Sequence, residues 1–224
     1  MPSQLPATTP AIHYPRPIGR SADRWVHIVG LSGAALGGLI LLGLSLRAHR
    51  LGQAAAVGVY AACLAAMFLA SAAYNLASPM RRPLLRRLDH AAIFLMIAGS
   101  YTPFTTQRLA GGWAWGMTAA VWVLALSAAA GKLIAPGLNK GFWVALYLAL
   151  GWLAVIAIKP FLAGVSLAAL GLLLAGGLVY SAGVIVYLNK TLPFRRAIWH
   201  GFVVAAAATH FAAVLVGVVA PAPL

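Results

Sequence analysis

The chain has 224 residues, of which 62% are hydrophobic and only 8% carry a charge. The mean hydropathy of +0.92 excludes an ordinary soluble domain, in which about a quarter of the residues are charged. The net charge of +14 comes from short basic clusters between apolar runs, a pattern typical of membrane loops. No basic stripe of the kind that binds nucleic acid is present in the sequence, so we expect a multi-pass membrane protein with no nucleic-acid partner.

The first 22 residues contain five prolines and no apolar run. Such a composition cannot form the hydrophobic core of a signal peptide, and it predicts a disordered cytoplasmic tail. His13 and Tyr14 are expected to be solvated within that tail. Residues 23–224 are predicted to form one membrane domain.

Seven apolar segments follow the tail, and most have the roughly 18–25 residues that cross a hydrocarbon core of about 30 Å. The third is the shortest, and it reaches this length only if Asp89 and His90 lie within its first turn. Leu, Ala and Gly dominate without alternation, which predicts an all-α integral membrane protein, a seven-transmembrane helix bundle. The segments are Val26–Leu46, Ala54–Ala77, Ala91–Thr106, Gly112–Ala130, Gly141–Ile158, Ala163–Tyr187 and Ala197–Val219.

The basic residues indicate the orientation of this bundle. With the N-terminus in the cytoplasm and the C-terminus outside, twelve of the sixteen Lys and Arg residues fall on the cytoplasmic side. Only Arg47, Arg50, Arg108 and Lys159 would lie outside. This bias follows the positive-inside rule, and it favours a protein of the plasma (inner) membrane.

The same topology brings polar residues from four helix ends to one depth of the membrane. Asp89 is one of only two acidic residues in the chain, and an ionisable group in an apolar run marks a functional site by default. Ser71 and Asn75 are spaced i,i+4, as are Arg196 and His200, so each pair shares a helix face. The predicted polar pocket contains His27, Ser71, Asn75, Asp89, His90, Arg196 and His200.

Several strings resemble the hemolysin III family, the bacterial branch of the progestin and adipoQ receptor family. They are SAAYN, LRRLDHAAIFLMIAGSYTPF, LYLALGWLAVIA, GGLVYSAGVIVY and IWHGFVVAAAATHF. Together they cover nearly the whole chain from His27 onward. The resemblance implies a seven-helix membrane fold with a cytoplasmic N-terminus, in agreement with the orientation that the charges predict.

The resemblance also implies a zinc site, built from an SxxxH motif, an aspartate and an HxxxH motif. Ser71, Asp89 and His200 match these motifs. Asn75 stands where the histidine of SxxxH would be, and Arg196 stands where the first histidine of HxxxH would be. An amide oxygen is a poor zinc ligand, and a guanidinium has no lone pair to offer. His200 is therefore the one expected metal ligand that remains, and no cofactor is expected, although zinc stays possible.

An early Glu-x-x-Asn-x-x-x-His pattern of the family is altered as well. Arg20 and Asp23 replace the Glu and the Asn, while His27 remains. His27 is close enough in depth to serve as a metal ligand, but a rearranged ligand set would be needed. His210 lies ten residues beyond His200, about 15 Å along a helix, and is therefore at the wrong depth.

Two functions remain open at this point. The first is a non-enzymatic sensor or modulator of membrane state, whose partners are the bilayer and a lipid ligand and whose metal pocket is degenerate. The alternative is a zinc-dependent lipid amidohydrolase with a rearranged metal site, in which Asp89 and Ser71 are the candidate catalytic residues. For the first function we expect Arg196 to form an ion pair with Asp89 where the family would hold zinc.

Overall fold

The computed structural model describes residues 13–14, 16–135 and 137–220, which form helices and short connections and contain no strand. A 3₁₀ turn at Leu153–Ala157 joins two of the helices, and the last helix continues as a π-helical turn at Leu215–Val219. The α-helices are α1 (Pro17–Arg47), α2 (Leu51–Leu76), α3 (Arg82–Gln107), α4 (Gly111–Ile134), α5 (Lys140–Gly151), α6 (Ile158–Gly164), α7 (Leu167–Leu188) and α8 (Arg195–Val214).

Six helical stretches in the described ranges are long and apolar enough to cross a membrane. They are α1, α2, α4, α7, the broken stretch Lys140–Gly164 and the stretch Arg195–Val219. The structure is therefore that of a multi-pass helical membrane protein. Helix α3 has 26 residues but is not among the six, and its first turns carry arginines and Asp89.

Helix α3 occupies the interior of the bundle. It packs along α2 on one side and α4 on the other, and it also contacts α5 and α8. Phe94 and Phe104 of α3 are almost fully buried. At Gly99, an added Cβ would lie 2.6 Å from the Cβ of Cys63, so this glycine allows α2 and α3 to approach closely.

Helix α1 packs against α2 and α8 through small residues. A Cβ at Gly30 would lie 2.6 Å from the Phe68 ring of α2, and one at Gly37 would lie 3.0 Å from the Phe211 ring of α8. Small residues at such contacts allow two helices in a membrane to approach closely. They also set how closely the start of α1 approaches the end of α2, where the polar residues meet.

The fifth predicted segment is not one continuous helix. Tyr101 of α3 compensates the break after α5, because its hydroxyl donates to the Gly151 carbonyl at 2.9 Å and accepts from the Ala154 amide at 2.8 Å. Irregular backbone at membrane depth is tolerated when protein groups satisfy it in this way.

The start of the membrane domain lies earlier than the sequence suggested. Helix α1 begins at Pro17, whose fixed φ angle suits the first turn of a helix. The prediction of a disordered tail through residue 22 is therefore wrong for 17–22, and residues 1–12 lie outside the described residues. His13 and Tyr14 are half-buried, because they contact α1, α2 and α8.

Candidate functional site

A cluster of polar side chains lies where the starts of α1 and α8 meet the end of α2. Its centre is Asp23, which is completely buried. His200 donates from Nδ1 to one carboxylate oxygen of Asp23 at 2.6 Å, and the Tyr14 hydroxyl donates to the other oxygen. Asp23 thus accepts hydrogen bonds from two other parts of the chain, and a buried carboxylate requires such partners.

The two histidines of the cluster have defined tautomers. Nδ1 of His27 lies 2.8 Å from the Asp23 carbonyl oxygen, which can only accept, so this nitrogen carries the proton. The carboxylate of Asp23 sets the same choice for Nδ1 of His200. The Nε2 lone pairs of His27 and His200 consequently both face the Ser71 hydroxyl, at 3.1 Å and 3.4 Å.

Asn75 fixes the other side of Ser71. One N–H of its amide donates to the Ser71 carbonyl at 3.0 Å, and Nδ2 also lies 3.4 Å from the Ser71 hydroxyl oxygen. The Asn75 amide oxygen accepts from His13 Nε2 at 3.3 Å, which sets the orientation of the amide. Asn75 is 1% exposed, so its contacts with Ser71 are shielded from solvent, whereas its contact with His13 is only partly buried.

Arg196 does not make the predicted ion pair with Asp89. Its Nε donates to the His13 carbonyl at 3.0 Å, and its guanidinium lies 5.7 Å from the centre of the Tyr14 ring. Among the described residues, no arginine or lysine nitrogen lies within 4.0 Å of the Asp89 carboxylate. The prediction failed because it took the N-terminal segment to be disordered and His13 and Tyr14 to be solvated, whereas these two residues supply the partners of Arg196.

Asp89 and His90 lie beside the cluster. Asp89 is 9% exposed and its carboxylate lies 4.0 Å from His90 Nε2, and the His90 carbonyl accepts from the Tyr147 hydroxyl at 3.0 Å. Both residues line the same cavity as His27, Ser71 and His200. The structure therefore brings the predicted pocket residues together, with Asp89 next to the cluster.

The cavity has a volume of about 920 Å³ and runs from this cluster into the bundle. Its far part is apolar, with walls that include Phe161, Leu170 and Leu174, and it also reaches His210. His200 and His210 are ten residues apart on one helix, so the cavity extends about 15 Å along α8. The cationic residues that line it are Arg86, Lys140, Lys190, Arg195 and Arg196.

The residues at the family's metal positions do not fit a zinc ion. Asn75 is held by Ser71 and His13, while Arg196 places a cation beside the segment of residues 13–14. Within the described part of the chain, one other set of donors comes together: Asp23, His27 and His200 each offer a ligand atom, and these atoms lie within 4.8 Å of one another. This set is the rearranged site on which the metal-dependent alternative would depend.

Asp23 is the member of the site that the sequence analysis missed. It was noted as a departure from the family pattern but was placed at the edge of the tail. Two signals were available: it is the only acidic residue besides Asp89, and it lies four residues before His27 on one helix face. Burial of an aspartate beside a histidine is costly unless both have partners, so this spacing could have predicted the contact.

The fold and the site define a multi-pass helical membrane protein with a buried polar cluster that opens into an apolar cavity. The model of the family described as Haemolysin-III related matches residues 21–211, and the chain belongs to this family.

The chain is 36% identical to Hemolysin-3 of Bacillus cereus over 82% of its own length and 85% of the relative's. It is 40% identical to the Hemolysin-3 homolog of Bacillus subtilis (strain 168) over 60% of this chain and 63% of the relative. It is also 28% identical to the human monocyte to macrophage differentiation factor over 70% of this chain and 67% of that protein.

Proposed function

We propose that this protein binds a single-chain amphiphile in the cavity and acts as a sensor or modulator of membrane state. The observation that carries the proposal is the division of the cavity into two parts. One is a polar end at Ser71 and His200, and the other is an apolar arm, lined by Phe161, Leu170 and Leu174, that reaches His210. A volume of about 920 Å³ is within the range of small-molecule sites. A lipid tail in the arm would place its head group at the polar cluster.

The charges of the lining favour an anionic head group. Five Lys and Arg residues line the cavity, and Asp89 is its only acidic lining residue in the part of the chain that the structure describes. A phosphate on a lipid would pair with several of these cations, and arginine is suited to its geometry. We therefore propose an anionic lysophospholipid as the class of ligand.

In a protein that senses membrane state by binding a lipid, the positions at which the family would bind zinc no longer form a metal site. The support for this is that Asn75 and Arg196 are engaged by Ser71, His13 and Tyr14. Ligand binding in the apolar arm needs no metal at this position.

We further propose that the chain crosses the inner membrane seven times, with the N-terminus in the cytoplasm and the C-terminus outside. The interior position of α3 between α2 and α4 supports its inclusion, because a helix shielded from lipid can carry more polar residues. A reporter fused after Leu224 should be active outside the cytoplasm, and one within residues 81–87 should be active inside. An active cytoplasmic reporter at the C-terminus would contradict the odd number of spans.

The metal-dependent lipid amidohydrolase remains a second candidate, because Asp23, His27 and His200 bring three donor atoms together. Zinc held there would supply a water of lowered pKa and would polarise a carbonyl. Bound metal in the purified protein distinguishes the two candidates. One equivalent of zinc that resists mild chelation would favour the hydrolase, and metal-free protein that binds lipid would favour the sensor.

The test of lipid binding uses an ether-linked lysophosphatidylglycerol with a photoreactive group in its chain. We expect saturable binding, with crosslinks on residues that line the arm. Gly171 lines the arm with open space around it, so Gly171→Phe should weaken binding at least tenfold by filling the cavity. Gly116→Phe is the matched control, since Gly116 also has open space but is not among the lining residues. Absence of saturable binding by the wild type would refute the proposal.

A further inference from the structure

Ser71, His200 and Asp23 form a continuous chain of nucleophile, base and carboxylate. The Ser71 hydroxyl lies 3.4 Å from His200 Nε2, and His200 Nδ1 lies 2.6 Å from the Asp23 carboxylate. A hydroxyl next to a base that a third group orients is the arrangement of an activated nucleophile, and such contacts are often long in the absence of substrate. From this geometry we infer that the protein is a serine acyl hydrolase that needs no metal.

The three residues differ in their access to the cavity in the way that this chemistry requires. Ser71 and His200 line the cavity, where a substrate could reach them, whereas Asp23 is completely buried behind His200. The carboxylate holds the His200 tautomer whose Nε2 lone pair faces Ser71, and it stabilises the imidazolium that forms when His200 accepts the proton. Asp23 is therefore a positioning residue, while Ser71 and His200 act on the substrate.

Asn75 provides the donor that the developing negative charge needs. One of its two amide hydrogens is used by the Ser71 carbonyl, and the same nitrogen lies 3.4 Å from the Ser71 hydroxyl oxygen. A side-chain amide beside the nucleophile is one of the groups that stabilise an oxyanion. The His13 contact holds the amide in this orientation.

The substrate class rests on the lipid-binding role proposed above. With no Lewis acid in the mechanism, the carbonyl must be electrophilic by itself, which favours a carboxylic ester over an amide. The cationic lining favours an anionic head group, and the apolar arm accommodates one acyl chain. The inferred substrate is the acyl ester of an anionic lysophospholipid.

The reaction has two balanced steps. The Ser71 oxygen bonds to the carbonyl carbon while its proton passes to His200 Nε2; the ester C–O bond then breaks and the departing glyceryl oxygen takes that proton. Water next attacks the acyl-serine, gives a proton to His200 and releases the fatty acid, while Ser71 recovers its proton. In sum, one ester and one water yield one fatty acid and one alcohol.

The experiment uses the full chain in detergent with two probes, a fluorophosphonate and 1-palmitoyl lysophosphatidylglycerol. We expect the fluorophosphonate to form an adduct that peptide mass spectrometry locates on Ser71. We also expect palmitate release that EDTA does not reduce. Ser71→Ala should abolish both signals but still bind the ether-linked lysolipid, which shows that the variant is folded. Ser45→Ala removes a buried serine outside the cluster and should keep both signals.

Asp23→Asn tests the positioning role. It should lower kcat by about a thousand- to ten-thousand-fold with KM nearly unchanged, because the substrate site is intact but the His200 tautomer is wrong. A loss that appears only in KM or in folding would contradict this role.

Three results would overturn the inference. An adduct on another residue with none on Ser71 would exclude Ser71 as the nucleophile. Palmitate release that chelation abolishes would assign the activity to a metal at Asp23, His27 and His200. Wild-type protein that binds the ether-linked lysolipid but gives neither adduct nor palmitate would refute the hydrolase and leave the binding role intact. Failure to bind the ether analogue while Ser71 still reacts would refute only the proposed lipid class.

Discussion

Two groups of polar side chains are buried in the bundle, and they differ in what their hydrogen bonds do. Between α3 and α4, the hydroxyls of Thr102, Thr105 and the half-buried Thr118 lie 2.9, 3.3 and 2.7 Å from carbonyls of their own helices. Two further contacts link these helices, because the Thr118 and Thr105 hydroxyls lie 2.7 Å apart and Trp122 Nε1 donates to the Thr102 hydroxyl at 3.0 Å. At the other group, Asp23, His27, Ser71 and His200 bond across three helices, over separations of up to 177 residues.

The difference teaches which buried polar groups indicate function. A threonine that bonds to its own helix is satisfied before any tertiary contact forms, so its burial costs little and implies little. The side chains of Asp23, Ser71 and His200 instead depend on contacts between different helices, and three of the four groups in this cluster are ionisable. Burying such a network costs free energy, and removing one member leaves the other buried groups without hydrogen-bond partners.

The largest expected effect on the unfolding free energy comes from replacing Asp23, which lies at the centre of the cluster around Ser71. Asp23→Ala leaves the His200 Nδ1 hydrogen and the Tyr14 hydroxyl without their acceptor, so we expect a loss of about 3–5 kcal/mol in unfolding free energy. Thr118→Val should cost less than about 1 kcal/mol, because no donor loses its acceptor. Reversible unfolding in mixed micelles, measured for both variants, checks the comparison, and equal losses would show that the two groups are alike.

The next effect concerns the helix contact that aligns the cluster. Gly30 lies one turn after His27, and an added Cβ would lie 2.6 Å from the Phe68 ring, so Gly30→Ala should force α1 and α2 apart. Overpacking of this kind costs about 1–3 kcal/mol. Gly33→Ala is the matched control, since nothing lies within 4 Å of its added Cβ, and it should be neutral or slightly stabilising.

Comparing the rate of fluorophosphonate labelling with lipid binding distinguishes a misaligned cluster from an unfolded protein. In Gly30→Ala, the fluorophosphonate reaction at Ser71 should slow more than the lipid binding weakens, because the displaced helix α1 carries Asp23, which positions His200 beside Ser71. If Gly30→Ala and Gly33→Ala have the same stability and the same reaction rate, the packing argument is wrong.

A smaller effect is expected at Arg196. Its contacts are one hydrogen bond to the His13 carbonyl and the face of the Tyr14 ring, both on a half-buried segment. We expect Arg196→Ala to cost about 0.5–1 kcal/mol, the range of exposed cation–π contacts. In a double-mutant cycle Asp89→Asn should add to this loss without rescuing it. A rescue would restore the ion pair that the sequence suggested.

How far the sequence predicts this molecule depends on the range of the interaction. Hydropathy and the positive charges predicted the helical membrane class, and the i,i+4 spacing of Ser71 and Asn75 predicted a shared face, because both signals are local. The role of Asp23 was not predicted, since its partners His200 and Tyr14 are brought to it by packing and not by sequence distance. The break after α5 was missed for the same reason, as Tyr101 compensates it from another helix.

The smallest expected effect is a pH dependence of the contact between the segment of residues 13–14 and the cluster. Burial, followed by the nearby charge of Arg196, lowers the pKa of His13 from 6.5 to about 4. His13 therefore stays neutral in the folded protein, where its Nε2 donates to Asn75, but it gains a proton more readily when the segment detaches or the chain unfolds. Stability from this contact is present above pH 6.5 and is lost as the pH falls from about 6.5 to about 4.

The control for this pH dependence is His13→Gln, which keeps an amide donor near Asn75 but cannot titrate. We expect the difference in Tm between wild type and His13→Gln to be constant above pH 6.5 and to move against the wild type on acidification to pH 4. The shift should be smaller than the effects above, because a half-buried group is partly screened by solvent. A difference in Tm that does not change between pH 7 and pH 4 would mean that His13 is as free to protonate in the folded protein as in the unfolded chain. The segment would then not hold the Asn75 amide toward Ser71, and the orientation on which the oxyanion donor depends would have to come from the helix alone.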